Sequence, residues 1–98
     1  MRKIIDNKLY DTEKADLVYS VPHYDIEECD FLCEDALYVT KKGSWFLVEE
    51  FASMDEPGTV SVSKDMSPKT VKEVYSWLLK HQAIDAIQQY FPDDIEEA

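Results

Sequence analysis

The side chains in this 98-residue sequence whose type and spacing suggest chemistry are two adjacent carboxylate pairs, Glu27-Glu28 and Glu49-Glu50, and a sparse set of thiols and imidazoles: Cys29, Cys33, His23 and His81. Paired carboxylates suit general acid–base work when both reach one substrate. Neighbours on a strand point to opposite faces, so Glu49 and Glu50 make no such dyad in an extended segment. Glu27-Glu28 would make one only in an unusual local fold. Cys29 and Cys33 stand at i, i+4 with His23 nearby, half of a metal site, and only His81 is left to complete it. Two reduced thiols are the simpler reading, with a disulfide or a bound metal as the alternatives. The only glycines are Gly43 and Gly58, which excludes a phosphate-cradling loop of the Walker or dinucleotide kind. The segment 93–97 lacks the alternating oxygen ligands and central glycine of a calcium loop. No nucleophile, base and charge-stabilising group fall into a recognisable pattern. The residues therefore point to a binding protein without cofactor or metal rather than to an enzyme.

Charge is the stronger signal. Twenty-one acids against ten bases leave a formal charge of −11. No basic residue stands between Lys14 and Lys41, whereas Asp16, Asp25, Glu27, Glu28, Asp30, Glu34 and Asp35 all do. The C-terminal tail adds Asp93, Asp94, Glu96 and Glu97. Such a surface repels nucleic acid and anionic lipid and attracts basic proteins in fast, salt-sensitive encounters. The expected partner is thus a basic protein, with no direct contact to nucleic acid or membrane. The competing explanation is that the acids only keep a small domain soluble.

The elements that must position these groups belong to a single domain spanning 1–98. An apolar fraction of 45 % with twelve aromatic residues is enough to form one core. The opening Met-Arg-Lys-Ile-Ile-Asp is charged too early for a signal peptide, and no apolar run approaches the roughly 20 residues of a membrane span. The cytoplasm is the expected location. The clearest element is 36–51, two β-rich runs around Lys41-Lys42-Gly43, where Gly43 can take a left-handed conformation. The expected register pairs Thr40 with Ser44, Val39 with Trp45, Tyr38 with Phe46 and Leu37 with Leu47. Leu37, Val39, Trp45 and Leu47 then share one face, and Tyr38, Phe46 and Val48 the other. Both faces are apolar, so each is covered from within or offers itself to a partner, a homodimer included. Tyr38 and Phe46 are accordingly candidate contact residues as well as candidate core.

Residues 2–10 predict a small hairpin turning at Asp6-Asn7. Asp11 or Thr12 is expected to cap a short helix over 12–19 with Ala15, Val18 and Tyr19 as its apolar stripe, ended by Pro22. Residues 23–35 read as irregular, with Phe31 and Leu32 tacking them to the core. Residues 53–58 read as a loop and 59–63 as a third principal strand. Ser67-Pro68 predicts a helix start, with Val71, Val74, Tyr75, Leu78 and Leu79 buried and Trp77 at the edge. From His81 the pattern resets to a second short helix through Ile84, Ile87, Tyr90 and Phe91, stopped by Pro92, with 93–98 a frayed tail. The sum is an α+β fold: a small antiparallel sheet of three to five strands with the C-terminal helices packed on one face.

Lys3-Ile4-Ile5-Asp6-Asn7-Lys8-Leu9-Tyr10-Asp11-Thr12-Glu13-Lys14-Ala15 resembles the start of a set of short proteins from phages and mobile elements of Gram-positive bacteria, which read K-I-I-x-G-K-x-Y-D-T-x-x-A. Their second block, L-Y-x-T-K-x-G-x-[YW]-F-L, stands here as Leu37 to Leu47, and Met66-Ser67-Pro68 through Trp77-Leu78 is similar to their closing L-S-x-x-E-A-x-x-W-L. Two positions depart: the turn glycine is Asn7, and Glu49-Glu50-Phe51-Ala52 replaces a glycine-rich loop. That genetic setting includes anti-CRISPR proteins. The resemblance implies a stoichiometric inhibitor of a CRISPR effector nuclease in the host bacterial cell, whose acidic surface occupies a cationic channel in place of nucleic acid. Asp25, Glu27, Glu28, Asp30, Glu34 and Asp35 become the expected phosphate mimics, supported by Glu49, Glu50, Asp55 and Glu56. The alternative is an interaction module acting on another basic host protein or defence system.

Overall fold

A computed structural model describes residues 1–26 and 31–96. Six strands precede two helices: β1 (Arg2–Ile5), β2 (Lys8–Asp11), β3 (Asp16–Ile26), β4 (Phe31–Val39), β5 (Trp45–Glu56), β6 (Thr59–Lys69), α1 (Val71–Lys80) and α2 (Ile84–Tyr90). β3-β4-β5-β6 form an antiparallel meander, and β1-β2 a separate two-stranded hairpin. The protein is a small α+β fold, as its sequence patterning predicts.

The β4–β5 hairpin has the expected register, with Leu37 opposite Leu47, Tyr38 opposite Phe46 and Val39 opposite Trp45. Its turn is closed by the Thr40 amide donating to the Ser44 carbonyl (2.8 Å) and the Gly43 amide to the Thr40 carbonyl (2.9 Å). Gly43 has φ +86°, a conformation that costs glycine nothing. The first hairpin turns on two consecutive left-handed residues, Asp6 (φ 51°) and Asn7 (φ 63°), the primed geometry whose twist matches the flanking strands.

Each face of the hairpin is covered from within the chain. Leu37, Val39, Trp45 and Leu47 pack under the helices against Val74, Leu78, Ala86, Ile87 and Phe91. Trp45 stacks on Phe91 (5.9 Å between centroids) and meets Tyr90 edge-on (5.3 Å). On the opposite face, Phe46, Val48 and Met66 lie under Tyr10 of the first hairpin. The second apolar surface is therefore filled by β2 and leaves no open face of Phe46 for a second copy of the chain.

Four local expectations are overturned, all in favour of strand. Residues 12–19 are a turn followed by β3: Asp11 accepts the Glu13 amide (3.0 Å) as a capping residue would, but Val18, Tyr19 and Val21 run on as strand against β4. Pro22 does not stop that strand because β3 lies at the sheet edge, where a missing amide removes no ladder bond. Residues 23–26 and 31–35, expected to be irregular, continue β3 and β4 as paired strands with one register shift between Tyr24 and Ile26; 27–30 lie outside the described residues. The 53–58 loop shrinks to a turn at Pro57-Gly58, and β6 runs on through Ser67-Pro68 on the other edge.

Helix α1 accordingly starts later, at Val71, on a capping box: the Glu73 amide donates to Thr70 Oγ1 (3.1 Å) and the Thr70 amide to Glu73 Oε1 (3.0 Å). Val74 and Leu78 carry its buried stripe, whereas Val71 and Leu79 of the expected stripe are exposed. The helix ends where the amides of Gln82 and Ala83 reach back to the carbonyls of Leu79 (3.1 Å) and Leu78 (3.0 Å), with Gln82 left-handed (φ 52°). This closure turns the chain into α2 and brings Ala86, Ile87 and Phe91 onto Trp45 and Val74. Past α2, Pro92–Asp94 forms a short 3₁₀ turn tied to α1 by the Tyr75 hydroxyl donating to the Asp94 carbonyl (3.3 Å).

Candidate functional site: the forked acidic end of the sheet

The helices and the first hairpin cover only one end of the four-stranded sheet, the end holding the 40–44 turn. At the other end the sheet divides. Pairing of β4 with β5 stops at Asp35 opposite Glu49. β3–β4 pairing nevertheless continues to Ile26 opposite Phe31, and β5–β6 pairing to Glu56 opposite Thr59. Among the described residues, the β3–β4 and β5–β6 hairpins thus run on past Asp35 and Glu49 as two arms with no ladder between them, a fork in the sheet. At the fork, Glu50 Oε1 accepts the Glu34 amide (3.2 Å), a side chain standing where the next ladder bond would be.

Strand alternation sorts the carboxylates. Asp35, Glu49 and Asp65 are successive cross-strand partners, so they form one row on the helix-bearing face, in line with Leu37 and Leu47. Glu34 and Glu50 project from the opposite face, where Lys64 stands across from Glu50. Asp35, Glu49 and Glu50 are half-buried; Glu34, Glu56 and Asp65 are exposed. Directly opposed like charges weaken a sheet, so the Asp35–Glu49–Asp65 row is expected to cost stability. Local violations of this kind are expected where function, not folding, selects the residue.

The charge of the chain is concentrated here. Among the described residues, the segments 25–35 and 49–65 hold eight acids against the single Lys64, a formal −7. The other end of the molecule is nearly neutral. An arm the length of Glu49–Glu56 spans about 23 Å at roughly 3.3 Å per residue, over which duplex DNA carries about 14 phosphate charges. The described residues of the two arms together carry about half that charge over the same length.

The expected site residues divide accordingly. Asp25 sits at the register shift near the end of β3, and Asp35, Glu49, Glu34 and Glu50 gather at the fork. Glu27, Glu28 and Asp30 lie outside the described residues. Phe46 is a correction. It is 0 % exposed, with Tyr10 edge-on at 5.4 Å and Tyr38 stacked at 5.2 Å, so it is a core residue and leaves the contact set. Tyr38 is half-buried beside it, on β4 three residues from Asp35. Asp65 belongs to the carboxylate row and was missed because the strand was expected to end at Ser63; the continued alternation Ser61, Ser63, Asp65, Ser67 was the available signal.

Of the candidate metal ligands, Cys33 is fully buried, His81 packs against the Trp77 ring (4.6 Å), and Cys29 lies outside the described residues. Among the described residues no three His, Cys, Asp or Glu side chains gather to hold a metal ion. No helix among them is long and apolar enough to cross a membrane. No protein-family model matches the chain, and no curated protein or solved structure is significantly similar to it.

Proposed function

We propose that this chain is a stoichiometric inhibitor that seats its forked acidic end in the basic nucleic-acid groove of a protein partner, excluding the polynucleotide that groove would hold. The carrying observation is that eight described acids against one lysine, a formal −7, belong to the arm segments, on strands that hold Asp35, Glu49 and Asp65 in fixed register. Rigid β-arms keep these carboxylates apart at strand spacing, so little ordering cost falls on the moment of binding. The resemblance to phage and mobile-element proteins supports a CRISPR effector nuclease as the target, since such effectors hold guide and target in positively charged channels.

The test is a cleavage assay with a purified effector in the presence of this protein, beside a pull-down from host lysate. Inhibition saturates at one inhibitor per effector and weakens steeply with salt. The variant Glu34→Lys/Glu49→Lys/Glu50→Lys loses it while retaining its circular dichroism spectrum. Undiminished inhibition by that variant, or a captured partner whose contact surface lacks lysine and arginine, refutes the reading.

A further inference from the structure

The basic residues of this acidic protein are not spread evenly. Lys8 of β2, Lys14 of the turn before β3, and Lys41 and Lys42 of the β4–β5 turn line one surface cleft of about 520 Å³, at the end of the sheet opposite the fork. Three separate chain segments thus deliver four of the ten bases to one place. The one acid in the cleft, Asp11, is 9 % exposed, and its Oδ1 is engaged by the Glu13 amide (3.0 Å).

The remaining lining joins the polar Asn7, Thr40 and Ser44 to the apolar Leu9 and Tyr10. Asn7 stands at the first hairpin's turn with a left-handed backbone. Thr40 Oγ1 accepts the Ser44 amide (3.0 Å), so its own hydroxyl proton is left to donate. Four cations and these neutral polar residues around a volume of this size are complementary to an anion of three or more charges. A monovalent ion would leave most of the mutual repulsion in place. The volume falls in the range of small-molecule sites.

We propose that this cleft binds an oligophosphate, either free or as the phosphate chain of a nucleotide, through Lys8, Lys14, Lys41 and Lys42. The site is separate from the acidic fork and independent of its function. Titration calorimetry of the full chain with inorganic tripolyphosphate and with ATP tests it. One saturable site per chain is expected, weakened at least about tenfold, or about 1.4 kcal/mol, in Lys14→Gln/Lys42→Gln and unchanged in the control Lys64→Gln/Lys72→Gln. Amide resonances of Asn7 and Ser44 shift on addition of ligand. Equal affinity for the two ligands assigns the contacts to the phosphate chain alone; tighter ATP binding adds the nucleoside to the same site. Absence of saturable binding to either ligand overturns the proposal, as does equal weakening in the control. Binding of single-stranded oligonucleotide without binding of the small ligands also overturns it, in favour of a nucleic-acid surface.

Discussion

Replacing Glu49 by Gln is expected to make the protein more stable and a weaker binder at once. Glu49 is flanked across the strands by Asp35 and Asp65, two like charges on the same face. Opposed side chains in a sheet stand about 5 Å apart at Cβ, and carboxylates that splay reach about 6 Å. Coulomb's law then gives about 0.7 kcal/mol per neighbour in water and more in the half-buried setting of Glu49. Screening at physiological ionic strength returns the figure to about 0.5. Two neighbours make about 1 kcal/mol, worth a Tm rise of about 4–8 °C in a domain this size. Thermal unfolding in low salt reads it directly. At about 1 M salt the Debye length is near 3 Å, and the gain shrinks to about 1 °C. Glu56→Gln is the control, because Glu56 faces Thr59 rather than an acid and its removal leaves Tm unchanged. In the same Glu49→Gln protein, association with a basic partner slows while dissociation changes less. An unchanged or lower Tm, or a gain that survives high salt, would refute the like-charge row as a stability cost.

Two other perturbations test the scaffold. Tyr10→Ser uncovers Phe46, Val48 and Met66; it costs about 3 kcal/mol and raises concentration-dependent self-association in sedimentation relative to the parent chain, and a variant as stable and as dispersed as the parent would show that β2 does not guard this face. At the start of α1, the Thr70 backbone amide, then its hydroxyl, hold the Glu73 carboxyl below its ordinary value of 4.5, with Lys69 adding a smaller pull. A folded-state pKa below the unfolded one means that this contribution is present above about pH 4.5 and lost as pH falls through the lowered value. Wild type should therefore exceed Glu73→Gln in Tm at neutral pH and converge with it in acid; a constant difference across that range would contradict the capping-box account.

The elements readable in the sequence are those whose signal is local. Gly43 between two period-2 runs specifies the central hairpin and its register, and Asp6-Asn7 specifies the first, because the required backbone conformation is written in the turn residues themselves. The errors fall where a local signal has two solutions and a distant partner chooses. Ala15, Val18 and Tyr19 fit a helical stripe, but Tyr19 lies opposite Leu37 and packs edge-on against Trp77 (6.1 Å), contacts that only the assembled sheet and helix supply. Ser67-Pro68 would open a helix, yet proline on an edge strand is equally free of amide cost, and the true cap stands three residues on at Thr70.

The acidity of the candidate surface was legible by counting; the fork was not, because it depends on where one ladder stops. That stopping point has a physical origin in the same residues. Continuing the β4–β5 register one step beyond Asp35 and Glu49 would set Glu34 opposite Glu50, adding a second opposed acid pair immediately after the first. Instead the Glu50 carboxylate turns to take the Glu34 amide, which satisfies that donor without closing the strands. β3 and β6 hold their own partners to the tips of the arms, so opening the fork sacrifices few backbone bonds. The carboxylates proposed to meet a basic partner thus also account for where the β4–β5 ladder ends.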